Sequence, residues 1–539
     1  MSQPVLGIDL GTTNSVVASI NDQGRVVILP NAVGAEITPS VIYFEPDGGV
    51  VVGEEALQAT AIDPGNGVRL IKRQMGTGFP LMLQGQEHTP ESISALILRQ
   101  LTEGTSADPA GRPHAVITVP AYFGLAEREA TYQAGIIAGL DVLELLDEPV
   151  AAAAHYGLTM SSDRTVMVYD LGGGTFDTTV LRIADGAVTV VATDGHHSLG
   201  GADIDERLMD VVLGRLERIV PRSELDELVD DKRLLGGLTL DVEAAKRDLS
   251  VRTSRDIVVR TPAGRVSVTI SRGDLEASTG DLLDTTAEII ERVLAAARSA
   301  GAGAVDDVIM VGGSSRIPSL SARLAAMFGS VPRLVEPDLA VAKGAALRAH
   351  QLMGTSQLTA LTRSLGGARA RPEAGRISTV TPRAIGVLVE DSYDQAGERS
   401  FIEHLVHTNT PLPVMTTDDK FGTILANQES VRIQVYEQAG PSPSPEVAHN
   451  RRVLDGELTK IGSLPAGSVI RITMKVAIDG RLTVIAHEPL SGRELTLEAF
   501  IEGVVDSAET ERLTRLVGLT AVRGLSWLAG YGALTRQRA

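Results

Sequence analysis

The sequence predicts an α/β region made of two similar lobes, followed by an all-β sandwich domain. In the stretch from Val166 to Asp177, a strand-like run ends at Asp170 and three consecutive glycines follow. A related pattern stands at Gly7 to Ser15, where a short apolar run ends at Asp9 before Leu-Gly-Thr-Thr. From Ala384 onward, apolar and polar residues alternate between turn signals, which is typical of a β-sandwich.

The glycines after Asp170 predict a turn that binds phosphate. Glycine can adopt positive φ and lets a ligand approach the main chain, so successive amides can form a concavity for an anion. A strand resumes at Thr178, and no lysine follows the glycines, which favours a β-hairpin over a P-loop. Two such hairpins indicate a duplicated architecture with one phosphate-binding turn from each lobe. Either hairpin alone could equally be an ordinary glycine-rich turn.

Composition and charge limit the class of protein. The chain has 539 residues, 43% of them hydrophobic and 22% charged, which predicts a globular protein of several domains. A formal net charge of -19 argues against nucleic acid as a partner. The absence of cysteine excludes disulfides and thiolate metal sites. The sequence shows no signal peptide and no membrane-length apolar run, so we expect a cytoplasmic protein.

Several charged residues of the first region have two readings. Lys72 lies in a basic pair within apolar surroundings, where a lysine is ordinarily a solvated surface group. Glu148 stands where a strand meets a helix that starts at Pro149, so it could cap that helix or face a cleft. The helix from Asp241 to Ser250 has a charged face, which is ordinarily only solvated.

Six motifs stand in order along the first part of the chain: Gly7 to Ser15, Ile117 to Phe123, Asp147 to Ala153, Asp170 to Asp177, Leu199 to Asp205 and Val311 to Pro318. Together they resemble the ATPase domain of the seventy-kilodalton heat-shock chaperones of the DnaK type, which has an actin-like two-lobed fold. Their order and spacing match the family through about Met353. A single glycine-rich hairpin would point only to the wider superfamily of actin and sugar kinases.

The resemblance implies ATP and ADP as nucleotides, Mg²⁺, and K⁺ as a further cation. It implies that the two hairpins bind the phosphates through Gly11, Thr12, Thr13, Asn14, Gly172, Gly173 and Gly174. Carboxylates around Mg²⁺ commonly act through its waters, and Asp9, Glu148 and Asp170 match that group. The catalytic residues it implies are Lys72, which would place the attacking water, together with Glu148, Asp170, Thr175 and Asp177.

The adenosine half of the site and the link to the second domain are also implied by the resemblance. The family's nucleotide-binding positions fall on Gly200, Gly201, Glu243, Lys246, Arg247, Ser250, Gly312, Gly313, Ser314, Arg316, Ile317 and Asp338. Pro120 and Arg128 match a relay between closure of the lobes and the peptide domain.

We divide the chain into an ATPase domain (residues 1–353), a flexible basic linker (354–379), a peptide-binding sandwich (380–500) and a short helical tail (501–539). The linker lacks the Leu/Asp-rich strand usual in the family, so we expect no linker strand beside the ATPase domain. We also expect weak coupling between client binding and ATP hydrolysis. We expect the tail to dock on the sandwich or partly cover its pocket, with membrane contact a minor alternative. By position, the peptide pocket would contain Val387, Phe421, Ile424, Val431 and Ile433, although alternating apolar residues of a sandwich are ordinarily core.

The sequence therefore predicts a heat-shock, DnaK-like chaperone of the stress response. ATP hydrolysis would switch its binding of extended apolar segments of client proteins. A J-domain co-chaperone and a GrpE-type exchange factor are further partners implied by the family. The alternative is a nucleotide-gated binding protein for one dedicated partner. A sugar kinase or an actin-like filament protein fits less well, because neither has a use for the sandwich.

Overall fold

The computed structural model describes residues 5–46, 48–105, 111–157, 163–184, 187–365, 377–390, 399–440, 442–462, 464–498 and 504–523. Part of the predicted linker, from residue 366 to 376, lies outside these ranges, as do the tail residues Leu525, Trp527 and Leu528. Within the described ranges, no helix combines the length and hydrophobicity needed to cross a membrane.

Two sheets with the same internal order form the lobes of the first domain, which confirms the predicted duplication. In each sheet, two parallel strands lie beside a third parallel strand that turns back as an antiparallel hairpin. The first sheet contains Asp141–Asp147, His114–Val119, Val5–Leu10, Asn14–Ile20, Val26–Leu29 and Thr38–Pro39. The second contains Arg333–Leu334, Asp307–Val311, Arg164–Leu171, Phe176–Ala184, Ala187–His196 and Ile377–Ser378.

Both predicted hairpins are present with the expected pairing. Asp9 stands opposite Val16 in the first, and Asp170 stands opposite Asp177 in the second. Smaller sheets are formed by Ser254–Thr261 with Gly264–Ser271, by Leu81–Leu83 with Gln86–His88, and by Gly67–Val68, Ile42–Phe44, Val50–Val52 and Val522–Arg523.

Helices cover the sheets, and two of them cross closely between the lobes. Gly344 of the helix Ala340–Leu365 approaches the carbonyl of Ala151 so closely that a Cβ atom would clash with it. Only glycine permits such contact between backbones, so this crossing fixes the base of the cleft. The second crossing helix is Glu148–Gly157. The remaining described helices are Glu54–Ile62, Pro90–Thr102, Leu125–Ile137, Gly201–Leu216, Arg222–Asp230, Lys232–Leu249, Arg272–Ser278, Gly280–Ser299, Pro318–Phe328 and Ser507–Leu519, with short 3-10 turns at Pro64–Asn66, Ile71–Gln74, Gly313–Arg316 and Val447–His449.

The region predicted as a flexible linker differs from that expectation in two ways. The helix that begins at Ala340 continues to Leu365, because the sequence after Gly354 contains several leucines and neither proline nor further glycine. After the segment outside the described ranges, Ile377–Ser378 pairs in parallel with Val188 and Thr189. The expectation of no strand beside the ATPase is therefore wrong, since this short strand extends the second lobe's sheet.

The second domain is the predicted β-sandwich. One sheet contains Ser400–Val406, Ile385–Glu390, Ser430–Gln438 and Asn450–Thr459, and the other contains Val414–Gly422, Val469–Val476, Leu482–Glu488 and Arg493–Glu498. One hairpin turns at Asp479 and Gly480, with Gly480 at φ 86°. The strand Val414–Gly422 ends before Ile424, and the strand Asn450–Thr459 is rich in charged residues.

The C-terminal helix packs on the first domain, not on the sandwich. Leu513 and Val517 are buried, and the helix contacts Pro90–Thr102 and Leu125–Ile137. The Arg99 guanidinium donates to the carbonyl of Val517 near the end of that helix. Val522–Arg523 then pairs in parallel with Val50 and Val51. The expected docking on the sandwich is wrong for residues 504–523, because their apolar partners lie on the ATPase lobe.

Candidate functional site

The tips of the two hairpins meet across a cleft between the lobes. A Cβ atom at Gly173 would clash with the side chain of Thr13, and one at Gly174 would clash with that of Thr12. Glycine is therefore required at both positions for the turns to approach each other this closely. The structure brings the predicted phosphate-binding residues of both lobes into one place.

Hydrogen bonds from the second lobe hold the Asp170–Asp177 turn in shape. The Gly201 amide donates to the Gly172 carbonyl at 3.0 Å, and the Ala202 amide donates to the Gly173 carbonyl at 2.7 Å. The Ser314 hydroxyl also donates to the Gly172 carbonyl, at 2.9 Å. These bonds use carbonyl oxygens of the turn and fix its backbone. Any ligand would therefore be bound by other groups of the turn. Gly201, Ala202 and Ser314 thus support the Asp170–Asp177 turn.

Behind the hairpin tips lies a group of buried carboxylates around one lysine. Lys72 Nζ donates to Glu148 Oε1 at 2.5 Å, and the Lys72 side chain is only 4% exposed. Asp9 and Asp170 line the same cleft, and the Thr118 hydroxyl donates to Asp9 Oδ1 at 3.3 Å. The ordinary reading of Lys72 as a solvated surface lysine is therefore wrong, and Glu148 faces the cleft.

The carboxylates of this group outnumber the single lysine, so the group carries excess negative charge unless a further cation binds. Burial, followed by the repulsion of Glu148, raises the pKa of Asp9 to about 7. Burial and the repulsion of Glu148 and Asp9 also raise the pKa of Asp170 well above its usual range. The pKa of Asp177 is raised in the same direction, first by burial and then by Glu148 and Asp170. Lys72 opposes these shifts but offsets only part of the negative charge.

The donor set fits a hydrated Mg²⁺ ion better than a directly ligated one. In the described part of the chain, no three carboxylate or imidazole groups converge closely enough to bind an ion by themselves. Asp9, Glu148 and Asp170 nevertheless face one cleft, and Mg²⁺ readily keeps several of its waters. An ion bound through water would relieve the repulsion that raises the pKa values of Asp9 and Asp170.

The cleft continues past Asp170 toward the second lobe. This part of the cleft is open to solvent, and its lining is more polar than apolar. Gly312 has a φ of 82°, and a Cβ atom there would clash with Asp170 Oδ1, so glycine is required. The wall consists of Asp9, Gly11, Thr12, Thr13, Asn14, Val16, Ile37, Lys72, Glu148, Asp170, Gly172, Gly173, Thr175, Gly312, Gly313, Pro337, Asp338 and Val341.

Several predicted nucleotide-binding residues lie outside this wall. Lys246 Nζ donates to the Gly201 carbonyl at 2.7 Å and to Asp205 at 2.8 Å, so it braces the phosphate turn. Glu243 accepts from Arg69 of the first lobe at 3.0 Å and also pairs with Arg247. The other nucleotide-binding positions not in the wall are Gly174, Gly200, Gly201, Ser250, Ser314, Arg316 and Ile317, and their contact with nucleotide stays a prediction. The predicted catalytic residue Asp177 also lies outside the wall, and its role stays a prediction.

Arg73 is a site residue that the sequence analysis missed. Its Nε donates to the Gly174 carbonyl at 2.9 Å, and its NH2 group pairs with Asp203 at 2.5 Å. A first-lobe arginine thus holds the second-lobe turn against its own lobe. The signal was available, because Arg73 is the second member of the basic pair that contains Lys72.

The predicted relay residue Arg128 lies at the contact between the two domains. Its guanidinium pairs with Asp147 and donates to the Phe123 carbonyl at 2.9 Å. Asp147 also accepts from the Thr379 hydroxyl at 2.6 Å. Asp147 is adjacent to Glu148 of the cleft, so a short chain of polar contacts runs from the carboxylate group to the interdomain segment. Pro120 precedes the buried loop that carries Phe123, and its role in a relay stays a prediction.

The residues predicted to form the peptide pocket differ in exposure. Val387 and Ile433 are buried in the sandwich core, whereas Phe421 and Val431 are half-buried. Ile424 is 55% exposed, in a loop that follows the strand Val414–Gly422. Their assignment as a pocket stays a prediction.

Comparison with known proteins agrees with this architecture. A family model described as Hsp70 protein matches residues 5–82 and 79–518. The chain belongs to the Hsp70 family. It is similar to the Chaperone protein DnaK of Thermotoga neapolitana, with 37% identity over 506 residues, 92% of this chain and 80% of the relative. The DnaK of Thermosipho melanesiensis is 35% identical over 92% of this chain and 79% of the relative. The DnaK of Deinococcus radiodurans is 34% identical over 95% of this chain and 81% of the relative.

Proposed function

We propose that this Hsp70 chain is an ATP-dependent molecular chaperone, in which ATP hydrolysis in the cleft controls how the sandwich binds extended apolar segments of client proteins. The observation that carries the proposal is the chain of contacts from the cleft to the sandwich: Glu148 adjoins Asp147, which contacts Arg128 and Thr379. A change at the phosphates therefore has a physical route to the interdomain segment.

The cleft residues divide into binding and proton-handling groups. The hairpin residues Gly11 to Asn14 and Gly172 to Thr175 would bind the phosphates through backbone amides and hydroxyls. Lys72 would orient the attacking water and stabilise charge on the transferring phosphoryl group. Mg²⁺, bound through water beside Asp9, Glu148 and Asp170, would neutralise charge on the phosphates.

A carboxylate with a raised pKa is suited to accepting the proton of the water. Asp177 is 1% exposed and accepts from the Tyr122 amide at 3.4 Å, so its carboxyl group is fixed in position. Burial, followed by the repulsion of Glu148 and Asp170, raises its pKa well above the usual range, which makes the ionised carboxylate a stronger base. Asp170 has the same property and is the second candidate. The pair shares the mouth of one hairpin, so either carboxylate would act next to the phosphate turn.

Partners follow from the family and stay proposals. Client polypeptides would bind the sandwich, a J-domain co-chaperone would stimulate hydrolysis, and a GrpE-type factor would promote nucleotide exchange. K⁺ is a proposed second cation, and a cytoplasmic location is proposed on the same basis. The alternative of one dedicated partner has one supporting observation: the helix Ser507–Leu519 lies on the ATPase lobe, so it does not enclose the sandwich.

Binding of a varied peptide panel to the full chain separates the two functions. We expect many extended apolar peptides to bind, with off-rates that differ between ATP and ADP. Thr379→Val keeps the cleft unchanged and removes a contact of the route, so we expect normal nucleotide affinity but a smaller difference in off-rate. Binding of no peptide, together with intact ATP hydrolysis, would leave the dedicated-partner function.

A further inference from the structure

The interface between the sandwich and the ATPase domain contains a buried group of two carboxylates and one guanidinium. Arg383 NH1 lies 3.2 Å from Glu127 Oε1 of the ATPase helix Leu125–Ile137. The same NH1 lies 3.6 Å from Glu437 Oε2 of the sandwich strand Ser430–Gln438. The Glu437 side chain is 3% exposed, although other residues of its strand are partly exposed to solvent. The Arg383 guanidinium therefore lies between two buried carboxyl groups, one from each domain.

The backbone of the ATPase domain forms a binding site for the Glu437 carboxyl group. The Leu125 amide donates to Glu437 Oε1 at 2.9 Å, across the boundary between the domains. A Cβ atom at Gly124 would clash with the Glu437 carboxyl group, so the glycine provides the space that the carboxyl group occupies. Glu437 thus fits a specific site on the other domain, and this contact exists only when the domains are docked.

The hydrogen bonding of the group is incomplete if both carboxyl groups are ionised. Glu437 Oε2 and Glu127 Oε2 are both buried and have no hydrogen-bond partner among the described residues. Arg383 is within hydrogen-bonding distance of Glu127 only, because its 3.6 Å separation from Glu437 is too long for such a bond. A buried ionised oxygen without a donor is costly. A proton on Glu437 would remove the charge at that oxygen and turn its hydroxyl into a donor.

The charges around Glu437 act in the same direction. Burial raises the pKa of Glu437 to about 7; Glu127 adds to this, and Arg383, the Leu125 amide and Arg451 oppose it. Burial would also raise the pKa of Glu127, but Arg383, Arg451 and the hydrogen bonds to Glu127 together outweigh burial, and the pKa is lowered. Tyr122, also beside Arg383, has a pKa raised well above its ordinary value by burial and then by nearby carboxylates, so it is neutral.

We propose that Glu437 enters the docked interface as a neutral carboxylic acid, so that docking of the sandwich takes up one proton and weakens as pH rises through neutrality. The device would make the position of the sandwich respond to pH independently of nucleotide. The proposal requires only the docked arrangement of the two domains and does not depend on ATP hydrolysis or on client binding.

The sign and size of the effect follow from linkage. Glu437 has an ordinary pKa of 4.5 when solvated and about 7 when docked, so the docked state binds the proton more tightly. Between pH 6 and pH 8, Glu437 is ionised in the undocked state but changes from mostly protonated to mostly ionised in the docked state. The ratio of docked to undocked molecules should therefore fall about tenfold over this interval.

Fluorescence transfer in the full chain can measure that ratio, because the sequence contains no cysteine to interfere with labelling. Dyes would be attached at Gln23→Cys on the ATPase domain and Ala466→Cys on the sandwich, both exposed positions. In this labelled chain we expect docking to weaken about tenfold from pH 6 to pH 8 without nucleotide. With Glu437→Gln, a neutral residue of the same shape, we expect less than a twofold change.

Two further variants make the test specific. Glu457→Gln removes an exposed carboxylate of the neighbouring strand and should keep the tenfold dependence. Glu127→Gln removes the charge that repels Glu437, so docking should persist with its transition shifted to lower pH. A flat response in the labelled parent chain would overturn the proposal. So would an unchanged slope in Glu437→Gln, or failure of that variant to dock at any pH, which would show that the ionised form is required.

Discussion

Replacing Lys72 tests the carboxylate group most directly. Lys72→Ala removes the cation that donates to Glu148 at 2.5 Å in a site where the lysine is 4% exposed. Removing one partner of a buried pair leaves an uncompensated charge and typically costs about 3–5 kcal/mol. We therefore expect the free energy of unfolding to fall by about that amount, measured by chemical denaturation without nucleotide.

The same substitution should reduce ATP hydrolysis because Lys72 acts on developing charge. Loss of one preorganised electrostatic group at a reacting centre costs about 10²–10³ in rate. Single-turnover hydrolysis at saturating ATP measures this without a contribution from nucleotide release. Lys420→Ala is the matched control, since that lysine pairs with Asp418 at 3.2 Å while 75% exposed, and such pairs contribute at most about 1 kcal/mol.

A double variant separates the loss of stability from the loss of activity. In Lys72→Ala combined with Glu148→Gln, the unpaired buried charge is also removed, so most of the lost stability should return. Hydrolysis should remain low, because neither variant residue can place the water. Near-normal hydrolysis in Lys72→Ala would refute the catalytic assignment. A double variant as unstable as the single one would refute the view that the unpaired Glu148 carboxylate causes the instability.

Three other predictions concern separate parts of the chain. The Asp9 carboxyl group is ionised above pH 7 and becomes protonated as pH falls through its pKa of about 7, so affinity for Mg-nucleotide should be weaker at pH 6 than at pH 8. Calorimetry of the wild type and of Asp9→Asn measures this affinity. Equal affinities of the wild type at the two pH values would contradict the prediction. Pro120→Ala should change the basal hydrolysis rate with little effect on nucleotide affinity, whereas collapse of that affinity would make Pro120 structural. Leu513→Ala removes a fully buried side chain, and with a typical cost of about 2–5 kcal/mol it should speed hydrogen exchange in Ser507–Leu519, as mass spectrometry would detect; unchanged exchange would contradict the docking of this helix.

The cleft was predictable because its chemistry depends on local backbone requirements. Gly173 and Gly174 stand where no Cβ atom fits, and the acids at the strand ends are fixed by the strands before them. Those requirements leave a clear mark in a short stretch of sequence. Arg73, in contrast, was missed because its role depends on distant partners. The Gly174 carbonyl and Asp203 both lie on the other lobe.

The elements that were wrongly predicted depend on partners far away in the chain. Ile377–Ser378 is too short for any periodic pattern and forms a strand only because the edge of Ala187–His196 is available. The side on which Ser507–Leu519 packs is decided by Leu513 and Val517 meeting Pro90–Thr102, which its own amphipathic pattern does not specify. The strand Asn450–Thr459 was obscured by its charged residues, several of which pair with residues of the adjacent strand.

The strand Val522–Arg523 has a consequence for the order in which the protein can fold. Arg99 and Val517 are 418 positions apart, yet they are joined by a hydrogen bond beside the sheet that Val522–Arg523 completes. During synthesis, one edge of the strand Val50–Val52 stays unpaired until almost the whole described chain has been made, because its partner strand is Val522–Arg523. An unpaired strand edge is a site of misassembly. We therefore expect this part of the first domain to reach its final form only after the sandwich has been made, which would make a chaperone depend on late segments of its own chain.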